Sequence, residues 1–419
     1  MLIGGLSVDD LATRFGTPIF VYDAARIRAN IGRVQQAFTA HYPGEHKLYY
    51  AVKTNENPVV MAILRDCGAG MDTASVNEIK LAQHIGVQAE DIMFSGNFLS
   101  DDDIQAGLAS GVVMNLDDGA LLPRILAFGL PKIISFRVNP GIGKSNVGHY
   151  DITGGPEAKF GVHPDHVIDC YRAAQAAGIT RFGVHMMAGS CVTDAAYFKE
   201  ITERLFAILE EVHEALGITF EFVDLGGGLG IPYRPGEPEL DIEAAIQGVA
   251  EAITTSCARA HMPLPRIVME PGRYFVGDAG YLIGRVQFIK ESYRRIVGTD
   301  LGMNIVPRVV LYGAYHHLRV PGKEHLPPEP TNLCGQICEQ TDLWAENRPL
   351  PPLAVGDLLV MENAGAYCYG MSYRYNGRLL PAEVLVDGGE AYLIRAAEPF
   401  EEMTRGVQFP AHVLSSRPT

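Results

Sequence analysis

From Ala24 onward the hydrophobic positions alternate between two periods. A helical spacing holds for about twenty residues and then gives way, between His46 and Asn55, to a run of aromatic and β-branched residues. That run reads as a buried strand that delivers Lys53 at its C-terminal end. Pro58 to Cys67 returns to an amphipathic helix, and Ala69 to Thr73 forms the next strand. Ser75, Val76, Asn77 and Glu78 make a capping box that opens a helix ended at Gly86. Further strands are predicted at Asp91 to Ser95, Gly111 to Asn115, Ile133 to Val138, Arg181 to His185, Phe220 to Leu225 and Arg266 to Glu270. Eight strands alternating with helices over about 250 residues predict an α/β fold, a (β/α)8 barrel of the TIM type, with its site at the C-terminal strand ends. An open doubly wound sheet would place its glycine fingerprint in the first crossover, whereas the glycines here follow the seventh strand.

The period changes again after Arg273. Short strands separated by turns are predicted at Tyr281 to Lys290, Arg308 to Tyr312, Leu358 to Glu362, Glu383 to Val386 and Tyr392 to Arg395. Prolines gather between them, at 327, 328 and 330 and again at 349, 351 and 352. This is an all-β C-terminal domain, and the strand Thr17 to Tyr22 is expected to join it. The predicted organisation is a barrel over 23–274 and a β domain built from 1–22 plus 275–419. A short capped helix, Ser7 to Gly16, precedes that strand. The connection from Asn139 to Gly161 is unusually long for a compact barrel, which marks it as a lid or binding loop.

A chain of 419 residues with 47% hydrophobic and 20% charged positions is a folded two-domain protein. Its net charge of −15 argues against nucleic-acid or anionic-membrane partners. No apolar run has the length of a membrane span and the first residues lack a basic signal region, so a cytoplasmic location is expected. Seven scattered cysteines are no disulfide framework. Cys334 and Cys338 lack a second pair to complete a zinc site, so no metal is expected.

Three features carry chemistry. A lysine in a dry pocket has a lowered pKa and forms a Schiff base with an aldehyde, which suits Lys53. Gly226, Gly227 and Gly228 follow the seventh strand, where this fold most often binds phosphate. The eighth strand ends in Glu270, Pro271, Gly272 and Arg273, a carboxylate and a guanidinium on a rigid turn. A lysine, a phosphate cradle and a carboxylate able to pair with a pyridine nitrogen together describe a pyridoxal 5'-phosphate site.

The sequence resembles the barrel-fold (fold type III) pyridoxal phosphate-dependent decarboxylases, and among them the diaminopimelate decarboxylases, over nearly its whole length. The resemblance is carried by Tyr50 to Lys53, Gly183 to His185, Gly189 with Ser190, Asp224 to Gly230, Glu270 to Arg273, Arg308 with Leu311 to His316, Cys338 and Glu339 with Asp342, Gly365 to Tyr367, and the tail around Glu383 and Arg395. It implies a lyase that removes the α-carboxyl group of an amino acid, foremost meso-diaminopimelate to give lysine. It further implies that Lys53 holds the cofactor, that Ser190, Gly228, Arg273 and Tyr367 contact its phosphate, and that Glu270 binds the pyridine nitrogen, with His185 and Gly272 in the same site. Cys338 is then the proton donor, while Arg273, Arg308, Tyr312 and Glu339, with Tyr367, bind the substrate. The family resemblance also implies a homodimer whose cysteine and glutamate come from the neighbouring subunit.

Five positions depart from the family pattern. His185 is followed by Met186 and Met187, where a second histidine commonly stacks on the cofactor, and a thioether packs there without charge. Gln336 replaces a proline, Gln340 and Thr341 replace small residues, and Arg374 stands in place of an asparagine, adding a cation near the cofactor end. Another diamino acid or a carrier-linked amino acid is therefore the alternative substrate class. A racemase would pair the pyridine nitrogen with arginine, which Glu270 argues against, and a non-catalytic relative would not need Lys53 and Cys338 together.

Overall fold

The computed structural model describes residues 1–146, 148 and 152–410. An N-terminal strand, β1 (Ile19–Asp23), precedes eight barrel strands. In chain order these are β2 (His46–Ala51), β3 (Gly70–Thr73), β4 (Ile92–Phe94), β5 (Val113–Leu116), β6 (Ile134–Val138), β7 (Phe182–Met186), β8 (Phe222–Asp224) and β9 (Arg266–Met269). Each pairs in parallel with its neighbours, and β9 meets β2 to close the barrel. All eight predicted strands are present. None of the helices among the described residues is long and apolar enough to cross a membrane.

The barrel interior is apolar at one end and polar at the other. Tyr49, Met93, Val113, Phe222 and Val268 form a buried cluster towards the N-terminal strand ends. Glycine is required opposite the two rings: a Cβ at Gly183 would lie 2.2 Å from Phe222 and one at Gly70 2.7 Å from Tyr49. Each ring buried in this way contributes roughly 2–3 kcal/mol. Further along the strands the buried side chains turn polar, with Asp72, Asn115, Arg137, His185, Asp224 and Glu270 inside. Polar side chains therefore converge on the C-terminal mouth.

The β domain comprises β10 (Gly280–Glu291), β11 (Arg295–Thr299), β12 (Glu329–Cys334), β13 (Ala345–Leu350), β14 (Leu358–Met361), β15 (Ala382–Asp387) and β16 (Glu390–Arg395). As the sequence predicts, β1 joins this sheet, antiparallel to β10 and parallel to β15. Strands β11 to β13 escape the hydrophobic pattern. Their prolines and charged residues read as breakers, yet Pro330 faces Pro349 in register at the rim of the sheet. The predicted strand at Arg308 to Tyr312 is corrected to a one-turn helix, Arg308–Tyr312. Pro307 starts the turn at φ −63 and Gly313 ends it at φ 64, a left-handed conformation that glycine adopts freely. With only five residues between these two signals, the β-branched pair Val309 and Val310 cannot extend.

The long connection after β6 is ordered where it is described. Asn139 staples its base, donating to the carbonyls of Gly155 at 2.9 Å and Phe160 at 3.1 Å and accepting from the Gly155 N–H at 2.8 Å. Lys144–Ser145 pairs in parallel with Gly189–Ser190. Residues 147 and 149–151 of this predicted lid lie outside the described residues.

Candidate active site

Lys53 stands just beyond β2, in a 3-10 turn at Val52–Thr54. Neighbours from the β domain tie that turn down. The Tyr367 N–H donates to the Thr54 carbonyl at 2.8 Å, Asn55 donates to the Gly365 carbonyl at 3.3 Å, and Asn57 donates to Glu383 at 2.8 Å. Glu383 is itself fully buried, accepts from the Tyr22 hydroxyl at 2.7 Å and pairs with Arg395. The lysine ammonium donates to Asp72 at 2.8 Å, from a side chain that keeps 46% of its surface open to the cleft, while Asp72 is 1% exposed. Burial works to lower the Lys53 pKa, but Asp72, with Tyr367 and Glu270 further off, outweighs it and holds the group above the ordinary lysine value. This corrects the expectation of a lowered lysine pKa: without a bound aldehyde, Lys53 is an ammonium. Glu78 lies close by. Half of its expected capping box forms, since Ser75 accepts from the Glu78 N–H at 3.3 Å while the Glu78 carboxylate accepts instead from the Ala74 N–H at 2.6 Å. Burial, with Asp72 adding to it, pushes the Glu78 carboxyl up to about 7.

Across the pocket, Glu270 leaves the end of β9 beside two other buried groups. His185 Nε2 lies 3.3 Å from its Oε2, and His185, Asp224 and Glu270 each bring one atom within 4.8 Å of the others. Burial, with Glu270 alongside, pushes the Asp224 carboxyl well above its usual range. Burial acts on Glu270 in the same sense, but His185, Lys53 and a hydrogen bond with Asp224 overcome it and bring Glu270 down to about 2. The two neighbouring carboxyls are therefore pushed in opposite directions, Asp224 up and Glu270 down. His185 therefore reaches the pocket through Glu270.

The glycine loop follows. The Gly226 N–H donates to Asp224 at 2.8 Å, and the Gly227 N–H donates to Met187 Sδ at 3.1 Å. A Cβ at Gly228 would lie 2.9 Å from the Gly189 carbonyl, and one at Gly272 only 1.9 Å from Thr54 Oγ1, so backbone alone fits there. Lys53, Met187, Ser190, Gly228, Glu270, Gly272, Arg273 and Tyr367 line one pocket, together with Cys191. Tyr367 and Cys191 hold φ values of 57 and 53, and such left-handed backbone costs a side-chain-bearing residue about 1–2 kcal/mol.

Next to it lies a cavity of about 430 Å³, lined by Arg308, Tyr233, Thr193 and Tyr315 among others. Arg308 is 1% exposed, and its Nη2 is buried without a hydrogen-bond partner. Its Nη1 donates to His316 Nε2 at 3.1 Å. The His316 ring can accept because burial, with Arg308 alongside, holds it down to about 3, and its Nδ1–H donates to the Glu362 carbonyl at 2.9 Å. Tyr233 was not singled out by the sequence. Its hydroxyl accepts from Arg273 at 2.6 Å and from Arg308 at 3.3 Å. The signal was a polar aromatic in the loop after the seventh barrel strand, overlooked because that loop has no period.

Cys338, Glu339 and Tyr312 do not line the Lys53 pocket. Tyr312 is half-buried at the end of the Arg308 turn. Cys338 and Glu339 are exposed on the turn after β12, where the Cys338 sulfur accepts from Asn376 at 2.8 Å and Glu339 accepts from the Tyr375 hydroxyl at 2.8 Å. The turn itself is firm, because buried Asp342 accepts from the N–H groups of Met303 and Ile337, each at 2.7 Å. Arg374, expected to add a cation to the site, is instead neutralised by Glu398 at 2.5 and 2.7 Å.

The pocket's chemistry fits pyridoxal phosphate. Glu270 Oε1 is buried without a partner, an unmet acceptor suited to a protonated ring nitrogen. Gly228, Ser190, Arg273 and Tyr367 in the same pocket are the donors a phosphate needs, and Lys53 lines it with them.

Residues 25–277 match the family described as pyridoxal-dependent decarboxylase, pyridoxal binding domain. A diaminopimelate decarboxylase of Methanothermobacter thermautotrophicus is 41% identical over 99% of this chain and 97% of its own length. Among solved structures, diaminopimelate decarboxylase from M. jannaschi aligns with a TM-score of 0.89 at 30% identity, covering 99% of this chain and 97% of that one. The Helicobacter pylori enzyme complexed with L-lysine aligns with a TM-score of 0.87 at 29% identity, over 95% and 98%.

Proposed function

The chain belongs to the pyridoxal-dependent decarboxylase family, and from that premise we propose that it releases carbon dioxide from meso-diaminopimelate to leave lysine. The observation that carries this reading is Arg308, a fully buried guanidinium with no carboxylate partner among the described residues, beside an open cavity. An unpaired buried cation is costly, and a substrate with a second carboxylate relieves that cost. The relatives named as diaminopimelate decarboxylases support the same substrate.

The residues divide the work. Gly226 to Gly228, Ser190, Arg273 and Tyr367 would hold the cofactor phosphate, Lys53 its aldehyde carbon and Glu270 its ring nitrogen. Bound pyridoxal phosphate supplies an electron-poor ring that takes up the electron pair left by carbon dioxide. Glu270, ionised through the working pH range, keeps a proton on the ring nitrogen. Asp224 and His185 hold that carboxylate in place from behind. Asp72 holds the Lys53 amine at the pocket wall. Arg308 and Tyr312 would bind the distal carboxylate, Glu339 the distal amine, and Cys338 would hand a proton to the α-carbon.

Cys338 and Glu339 are exposed and away from the Lys53 pocket, which supports a homodimer in which each site borrows them from the partner. The division into a cofactor-binding barrel over 23–274 and a β domain of 1–22 plus 275–419 is part of this reading. A reducing cytoplasm fits seven free cysteines. The test is carbon dioxide release from meso-diaminopimelate, lysine, ornithine and glutamate by the cofactor-loaded protein. Turnover of meso-diaminopimelate far above the others is expected, and comparable turnover of ornithine would refute the assignment.

A further inference from the structure

Tyr233 occupies a position that the residue roles above leave unassigned. Arg273 lines the Lys53 pocket and Arg308 the adjoining cavity, and the Tyr233 hydroxyl accepts a hydrogen bond from each, at 2.6 and 3.3 Å. Both guanidinium groups also stand over its ring, with Arg273 5.7 Å and Arg308 5.3 Å from the centroid. A phenol oxygen that accepts from two cations has its own hydrogen turned away from them. No acceptor for that hydrogen is found among the described residues.

The hydroxyl is held in place from several directions. Glu237 accepts from the N–H groups of Tyr233 at 3.0 Å and Arg234 at 2.9 Å, which fixes the backbone of the loop. Asn363 of the β domain donates to the Pro232 carbonyl at 2.9 Å. The His316 ring packs edge-on against Tyr233, with centroids 5.3 Å apart at 86°. A donor so firmly oriented beside two cations suits an anionic oxygen.

The geometry points to Tyr233 as a substrate-binding residue: its hydroxyl donates to the distal carboxylate of the substrate, beside Arg308. This assignment rests on the diamino diacid reading above. The competing role is a contact to the cofactor phosphate through Arg273, and the two make opposite demands on a variant that lacks only the hydroxyl.

The experiment compares wild type with Tyr233→Phe, which keeps the ring and its packing. In the cofactor-loaded protein the KM for meso-diaminopimelate should rise about tenfold, the effect of one lost hydrogen bond to a charged group, with kcat changed less than about twofold. Inhibition by lysine, which keeps the distal carboxylate, should weaken by the same factor. Inhibition by 1,5-diaminopentane, which has none, should be unchanged. Retention of pyridoxal phosphate on dialysis, followed by its absorbance, should match wild type. A wild type that turns over meso-diaminopimelate, with a variant whose KM and lysine inhibition are unchanged or whose cofactor retention falls instead, overturns the assignment of Tyr233 alone. A wild type that does not turn over meso-diaminopimelate overturns the substrate reading and this assignment together.

Discussion

Lys53 and Cys338 are the two most reactive side chains of the proposed mechanism, and the fold sets them in contrasting surroundings. The Lys53 turn, at the end of a barrel strand, is bonded to the β domain through Thr54, Asn55 and Asn57 and faces a buried set of ionisable groups. The Cys338 turn is braced underneath by Asp342, but the Cys338 and Glu339 side chains are exposed, with hydrogen bonds to Asn376 and Tyr375. A buried charged network is stable only when it is assembled along with the fold, so the cofactor half belongs to the single chain. An exposed thiol and carboxylate on a firm turn need no such assembly, and in the proposed homodimer they would act once a second copy covered them.

Four substitutions would break or sharpen this contrast. The largest effect is expected at Lys53. Borohydride reduction of the loaded protein should label the Lys53 peptide alone, and Lys53→Ala should lose the label and, by roughly 10⁴-fold or more, the activity. A label on another lysine would remove the pocket from the account. Cys338→Ala should lower kcat by about 10²–10⁴-fold, the usual worth of a positioned proton donor, while the Lys53 label persists.

Arg308→Ala should cost less overall but act on choice of substrate. Its preference for meso-diaminopimelate over ornithine should fall by about a hundredfold, since the second carboxylate loses its buried partner. An unchanged ratio of kcat/KM values would place the distal carboxylate elsewhere. The smallest effect is expected at Glu78, and it appears in stability. Its carboxyl sits at about 7 in the fold, above the ordinary 4.5, so the native state holds the proton more tightly than the unfolded chain. Native stability should therefore fall as pH rises through about 4.5 to 7, by about 1–2 kcal/mol after allowance for partial exposure. Glu78→Gln, a mimic of the protonated form, should lose less between pH 5 and pH 8 when the cofactor-free protein is unfolded by urea. Parallel losses would show that Glu78 does not titrate as the geometry implies.

The barrel was legible because its strands are buried on both faces, so that most of their residues, as at 48–51 and 267–269, are apolar. Lys53, Gly228, Glu270 and Arg273 fall together in one pocket because a barrel presents its strand ends at one mouth. Asp72 was missed as the partner of Lys53, since that contact follows from β2–β3 register, in which Ala51 faces Asp72. The same blindness to contacts across the fold produced the expectation of a lowered lysine pKa. Arg308 was assigned to a strand because Val309 and Val310 outweighed the Pro307 and Gly313 signals around them. Arg374 showed as an added charge because its partner Glu398 is 24 residues away in the chain. Cys338 and Glu339 were legible only through the family resemblance, for an exposed turn has no hydrophobic pattern to read.

The most direct test of a site divided between two chains mixes inactive Lys53→Ala and Cys338→Ala proteins under conditions of subunit exchange and measures carbon dioxide release from meso-diaminopimelate. In a mixed dimer one site joins an intact Lys53 to an intact Cys338, so random exchange should restore about a quarter of wild-type activity. No recovery, with exchange shown independently, would contradict the account and require each site to be built within one chain.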